Sequence, residues 1–142
     1  MRSLRNEEEI LKGIDTNVLV RYIVQDDPAQ SKLATQFMEC ECTVDTPAFI
    51  NGMVICELVW VLESAYGYSR QEIANAIELI LRTREFHLHE PEILWQSLSG
   101  YQHKGADFAD LYIACVNRHA GCENTVTFDK KAAKVDYFKQ LK

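Results

Sequence analysis

An α/β sandwich around a parallel sheet is the fold class that this sequence predicts, on three observations. Short apolar, β-branched runs alternate along the chain with longer stretches of helical period, the pattern of repeated strand and helix units. Several of the helical stretches open or close on recognisable caps. The 142 residues are 47% hydrophobic and 25% charged, with 6 Gly and 3 Pro, which is the composition of an ordinary globular domain. That length can bury roughly 68% of the surface exposed by the unfolded chain, without a disulfide or a structural metal. One domain is expected over residues 13–142. Residues 1–12 (MRSLRNEEEILK) read as an extension: a tag remnant, an upstream start or a frayed helix.

Leu11–Ile14 is the first candidate strand, and Asn17–Val24 the helix that follows it. Asp27 before Pro28 is an N-cap followed by proline at the first helical position, so a helix is expected over Pro28–Glu39. A second strand is predicted at Thr43–Thr46, then a long apolar helix over Ile50–Tyr66. Ser69 with Glu72 three residues on forms a capping box that opens a helix ending at Arg82. Phe86–His89 is the third strand, Pro91–Gln102 the next helix, and Asp107–Ala120 a helix closed by Gly121. Thr125–Phe128 is the fourth strand, with a short fifth near Tyr137–Phe138. There is no repeat, low-complexity tract or linker.

No apolar run approaches the ~18 residues of a membrane helix, and residues 1–12 lack the apolar centre of a signal peptide, so the chain reads as cytoplasmic, with no membrane partner. Five cysteines (Cys40, Cys42, Cys56, Cys115, Cys122) without CxxC spacing fit reduced, buried thiols rather than a disulfide framework. Neither Cys40-Glu41-Cys42 nor His87-Leu88-His89 has zinc-finger spacing, and strand alternation turns both histidines to the same side. A net charge of −6 and a pI near 5.2 rule out a molecule-wide field for nucleic acid. Only the last fourteen residues run the other way, with five lysines against two aspartates.

The candidate chemistry lies in the acids. Asp15 and Asp129 each end an apolar strand, at the carboxyl edge where open α/β sheets bind ligands, although each could equally cap the helix behind it. Glu57 sits on a helix with Met53, Val54, Trp60 and Val61 as neighbours. A carboxylate on such a stripe is expected to be desolvated, and so paired with an Arg such as Arg21, protonated, or bound to a cation. Asp107 and Asp110 open the next helix on one face, positions that a cap and the helix dipole would also explain. As a set these acids can converge on one sheet edge, where they repel unless a cation joins them. Hard oxygen donors favour Mg²⁺, with Mn²⁺ as a substitute, and such a site suits phosphodiester hydrolysis by neutralising charge on the attacking and leaving oxygens.

Four strings carry a resemblance to a known family: Gly13-Ile14-Asp15-Thr16-Asn17-Val18-Leu19-Val20-Arg21-Tyr22, Cys56-Glu57-Leu58-Val59-Trp60-Val61-Leu62, Gly105-Ala106-Asp107-Phe108-Ala109-Asp110 and Thr127-Phe128-Asp129-Lys130. In this order and spacing they resemble a PIN domain of the bacterial VapC toxin type, from about Gly13 to the end of the chain. The resemblance implies a three-layer α/β/α sandwich with a central parallel sheet of about five strands, and a Mg²⁺-dependent endoribonuclease. It assigns the catalytic acids to Asp15, Glu57, Asp110 and Asp129, with metal ligation by Asp15 and Asp110. Thr16 and Asn17 would support the first acid, and Asp107 would be a further acid that either ligates or caps.

The same resemblance implies an RNA substrate, a small VapB-type antitoxin that occupies the acidic groove, and a homodimer. The apolar Val18–Ile23 stretch and Trp60 are available for the homodimer. Arg21, Lys130 and Lys131, with Lys104, Arg118 and Lys134, are candidates for a basic rim that meets RNA. Other readings fit less well. An aspartyl-phosphate phosphatase wants a second Asp two residues after the first, where Asn17 stands, and a phospho-acceptor domain wants an acid adjacent to Asp15. A non-catalytic module that binds a basic peptide through an acidic groove is the alternative from another class.

Overall fold

The computed structural model describes residues 10–142, so most of the segment read as an extension lies outside the described residues. Its Lys12 opens β1 (Lys12–Gly13), which leads into α1 (Thr16–Val24) and α2 (Pro28–Gln36), and α2 continues through a π-helical turn at Phe37–Glu41. Then follow β2 (Ala48–Ile50), α3 (Gly52–Ser64), α4 (Arg70–Arg82), β3 (Phe86–Leu88), α5 (Pro91–Lys104), α6 (Phe108–His119), β4 (Thr125–Thr127), a 3-10 turn at Ala132–Lys134 and β5 (Phe138–Gln140).

The α/β class stands, and every strand pair is parallel, but the sheet is smaller than one ladder of about five strands. β1, β2 and β3 form one ladder, with Gly13 opposite Phe49 and Phe49 opposite His87, while β4 and β5 form another, with Thr125 opposite Phe138. β1 is too short to join them: after Ile14 hydrogen-bonds to Phe49, the chain turns at Asp15 to cap α1.

The second strand lies later than its sequence suggests. Thr43–Thr46 is a bend in which the Thr43 hydroxyl accepts from the Thr46 amide (3.0 Å), a local side-chain bond that competes with a ladder. β2 instead spans Ala48–Ile50, whose Ala48 and Ile50 side chains are wholly buried. Ile50 therefore belongs to the strand, and α3 begins after Asn51, whose side-chain oxygen accepts from the Val54 amide (3.0 Å). The expected caps elsewhere are present: Asp27 on α2 and the reciprocal Ser69–Glu72 box on α4.

Leu19, Ile55, Leu58, Leu62, Ile77, Leu94 and Leu111 are completely buried and knit the helices to the sheet. Two glycines set how closely α6 approaches its neighbours. A β-carbon at Gly52 would overlap the Tyr112 ring, and one at Gly100 would press on Leu111. Arg70 stacks 3.8 Å from the Tyr101 ring and donates to the carbonyls of Tyr101 and Ala106, each at 2.8 Å, fixing the turn just before Asp107.

The cysteines are all free. Cys42 and Cys115 are buried and Cys56 is half-buried, but Cys40 and Cys122 are exposed, contrary to the expectation of buried thiols. His87 and His89 point the same way, with ring centroids 5.6 and 5.9 Å from that of Phe49. No helix among the described residues is long and apolar enough to cross a membrane.

Candidate active site

Asp15 ends β1 in extended backbone and caps α1, its Oδ1 accepting from the Thr16 amide at 2.7 Å. The buried Thr16 hydroxyl donates across to Glu57 Oε1 on α3 at 2.5 Å. One residue thus ties the first acid to the second, and both line a groove of about 410 Å³ between α1 and α3, with Asn17 beside them.

Glu57 itself is exposed, not desolvated. The apolar neighbours that suggested burial do not cover it, because Met53 and Trp60 are 64% and 66% exposed and α3 buries Ile55, Leu58, Val59 and Leu62 instead. Nor does Arg21 pair with Glu57. Its guanidinium goes to Gln30, Asp26 and the Tyr66 hydroxyl.

Asp107 caps α6, its Oδ1 accepting from the Asp110 amide at 3.2 Å. Asp129 holds the turn after β4, its Oδ1 accepting from the Lys131 amide at 2.8 Å and the Ala132 amide at 3.3 Å. The Asp110 carboxyl is pushed above its ordinary pKa by partial burial and then by the charges of Asp107 and Asp129, which places the three in one electrostatic neighbourhood. Cys56 links that neighbourhood to α3: burial, then the charges of Asp107 and Glu57, push its thiol up to about 12.

Four of the five acids therefore have a structural duty and an oxygen left over. Asp15, Glu57, Asp107 and Asp129 each commit one carboxylate oxygen to a hydrogen bond and keep the other without a partner among the described residues, and Asp110 keeps both. None of the five is ion-paired within the described residues. As placed, no three of the described His, Cys, Asp and Glu side chains are gathered tightly enough to hold an ion. The acids form an α1–α3 pair and an α6–β4 group, an oxygen-only donor set of the kind that hard divalent cations take.

Among the basic candidates, Arg21 lines this groove and its neighbour beside α2, whereas Lys130 and Lys131 are exposed next to Asp129. Lys104 and Arg118 lie over the Tyr137 ring, at 5.6 and 4.2 Å from its centroid. Asp26, Tyr66 and Cys56 are the site residues that sequence reasoning missed. Nothing in Asp26-Asp27-Pro28 or Ala65-Tyr66-Gly67 signals the contact, since the partners are 40 residues apart. In the Val18–Ile23 stretch Leu19 and Val20 are in the core, whereas Val18, Arg21, Tyr22 and Ile23 are half-buried, and Trp60 is exposed.

Comparison with known proteins agrees with this architecture. The chain is 24% identical over 127 residues to a "VapC ribonuclease" of Aquifex aeolicus (strain VF5), a match covering 89% of this chain and 93% of the relative. No solved structure matches. The PIN domain family matches residues 13–137, a span that includes all five acids and β2 to β4 whole, begins at the second residue of β1 and stops just before β5. On that match, and on a parallel sheet carrying acids at its carboxyl edge, the chain belongs to the PIN domain family.

Proposed function

We propose that this protein is a divalent-metal-dependent endoribonuclease, the toxin of a VapBC-type toxin–antitoxin pair. The observation that carries the reading is the donor set. Five carboxylates, in two groups linked through Cys56, have no ion pair among the described residues, and the Asp110 carboxyl bears the repulsion of two others. The likeness to a VapC ribonuclease supports the same reading.

Asp15 and Asp110 would hold the ion, Mg²⁺ with Mn²⁺ as its substitute, supported by Glu57 and Asp129; when bound, the ion neutralises the charge that develops on the phosphodiester oxygens. The chain's own residues do the rest. Thr16 donates its hydroxyl to Glu57 Oε1 and its amide to Asp15 Oδ1, so both acids are aimed into the groove before substrate arrives. Glu57 Oε2, uncommitted and open to solvent, is the oxygen placed to orient a water and take its proton. Asn17 lines the groove next to Asp15 and supplies an amide for the same water shell. Arg21, Lys130 and Lys131 offset the −6 charge of the chain where RNA must approach. The acid groove is also the surface that suits a basic antitoxin segment. For a homodimer, the exposed Trp60 and the half-buried Val18, Tyr22 and Ile23 are available contacts, as are the exposed Ile113 on α6 and Val126 and Phe128 at β4.

Purified protein free of its partner should cleave single-stranded RNA with Mg²⁺ or Mn²⁺ and stop on addition of EDTA, and Asp15→Asn should be inactive. Equal cleavage by the parent and Asp15→Asn would mark a contaminating nuclease. No cleavage with either metal, together with tight binding of a basic peptide, would favour a non-catalytic module.

A further inference from the structure

We infer that the groove between α1 and α3 holds one unpaired nucleotide beside the bond to be cut, its base stacked on Trp60 and its phosphate on Arg21. This assignment rests on the ribonuclease reading and names the two residues that hold the RNA beside its acids. The groove runs from Asp15 and Glu57 to Arg21, Trp60 and Tyr66, so it passes directly from acids to a cation and aromatic rings. Trp60 follows Glu57 by three residues on α3, which makes their side chains surface neighbours. It is 66% exposed, although an indole gains much by burial and α3 has an ample core face without it.

Arg21 is held in place for a ligand. Its Nε donates to Gln30 at 2.7 Å, and its Nη1 to Asp26 at 3.3 Å and to the Tyr66 hydroxyl at 3.2 Å. The Tyr66 hydroxyl in turn donates to Asp26 at 2.8 Å. Nη2 has no partner among the described residues, and the side chain is 29% exposed, so a guanidinium of fixed orientation keeps donors for an incoming anion. Phosphate and base are the two chemistries this pair recognises together. A stacked base must be out of a helix, because a duplex hides base faces that single strands and loops display. A basic peptide matches the Asp15 and Glu57 end of the groove but brings no anion to the uncommitted Arg21 Nη2 and no base face to Trp60.

The test makes Trp60 its own reporter. Trp95 is half-buried beneath Arg82, so Trp95→Phe leaves Trp60 as the single indole. In EDTA at low salt, a mixed-sequence single-stranded oligoribonucleotide should quench its emission, and a blunt RNA duplex of the same length should not. In the cleavage assay Trp60→Phe should stay within about 3-fold of the parent kcat/KM, while Trp60→Ala should lose about 10-fold or more, chiefly through KM. Arg21→Gln should lower the slope of log affinity against log salt by about 0.7, one phosphate contact. Quenching without any cleavage would overturn the ribonuclease reading and leave only a single-strand binding subsite at Trp60 and Arg21. The assignment is overturned by no quenching, by equal quenching with duplex, or by a Trp60→Ala protein that changes oligomeric state but binds RNA as before.

Discussion

Asp107 and Asp110 show at the scale of single residues how a helix cap and a candidate metal site share the same side chains. Asp107 Oδ1 is occupied by the Asp110 amide, a bond that Asn supports about as well as Asp, so Asp107→Asn should leave stability nearly unchanged. If its second oxygen only supports the ion's surroundings, turnover should fall by about 10–100-fold. Asp110 commits neither oxygen to the fold, so Asp110→Asn should keep the unfolding free energy from urea denaturation within about 1 kcal/mol of the parent while turnover falls by orders of magnitude. Steady-state cleavage against Mg²⁺ concentration for the two variants checks this, and a fully active Asp110→Asn enzyme would remove Asp110 from the site. Asp15 and Asp107 were legible as caps and as candidate acids together because a cap occupies one carboxylate oxygen and leaves the other uncommitted. Glu57 was legible as an acid but not in its surroundings. Helical period marks the apolar face of Met53 and Trp60 without telling whether that face is packed or, as here, left open along a groove.

At the scale of elements, local chemistry decided the boundaries. Capping residues with a nearby partner, Asp27 and the Ser69–Glu72 box, were readable because the bond closes within three residues. β2 was not, because Thr43-Val44-Asp45-Thr46 and Ala48-Phe49-Ile50 are both short β-prone runs and only long-range pairing chooses between them. Thr43 and Thr46 bond each other, whereas Ala48 and Ile50 fill space between β1 and β3. Asn51 then carries the strand-to-helix junction that places Glu57. Asn51→Ala should destabilise the protein by about 1 kcal/mol in urea denaturation, and Asn51→Asp by much less, since a carboxylate restores the cap. An Asn51→Ala protein as stable as the parent would mean that α3 does not begin there.

For the whole molecule, the charge of −6 and the unpaired acids make one demand. Carboxylates from α1, α3, α6 and the turn after β4 lie near one another without an ion pair to the nearby Arg21, Lys130 or Lys131 among the described residues, a distribution whose self-repulsion lowers stability and which a bound cation would relieve. What the sequence could not convey was that these acids divide into two groups joined by Cys56, because that division depends on how α3 and α6 pack at Gly52 and Tyr112. Calorimetric titration of Mn²⁺ into metal-stripped protein tests the central claim most directly. The parent should show saturable binding that Asp110→Asn and Asp15→Asn each abolish with the fold intact. A parent that binds no Mn²⁺ at millimolar concentration, or variants that bind it as well as the parent, would contradict a shared metal site built from these acids.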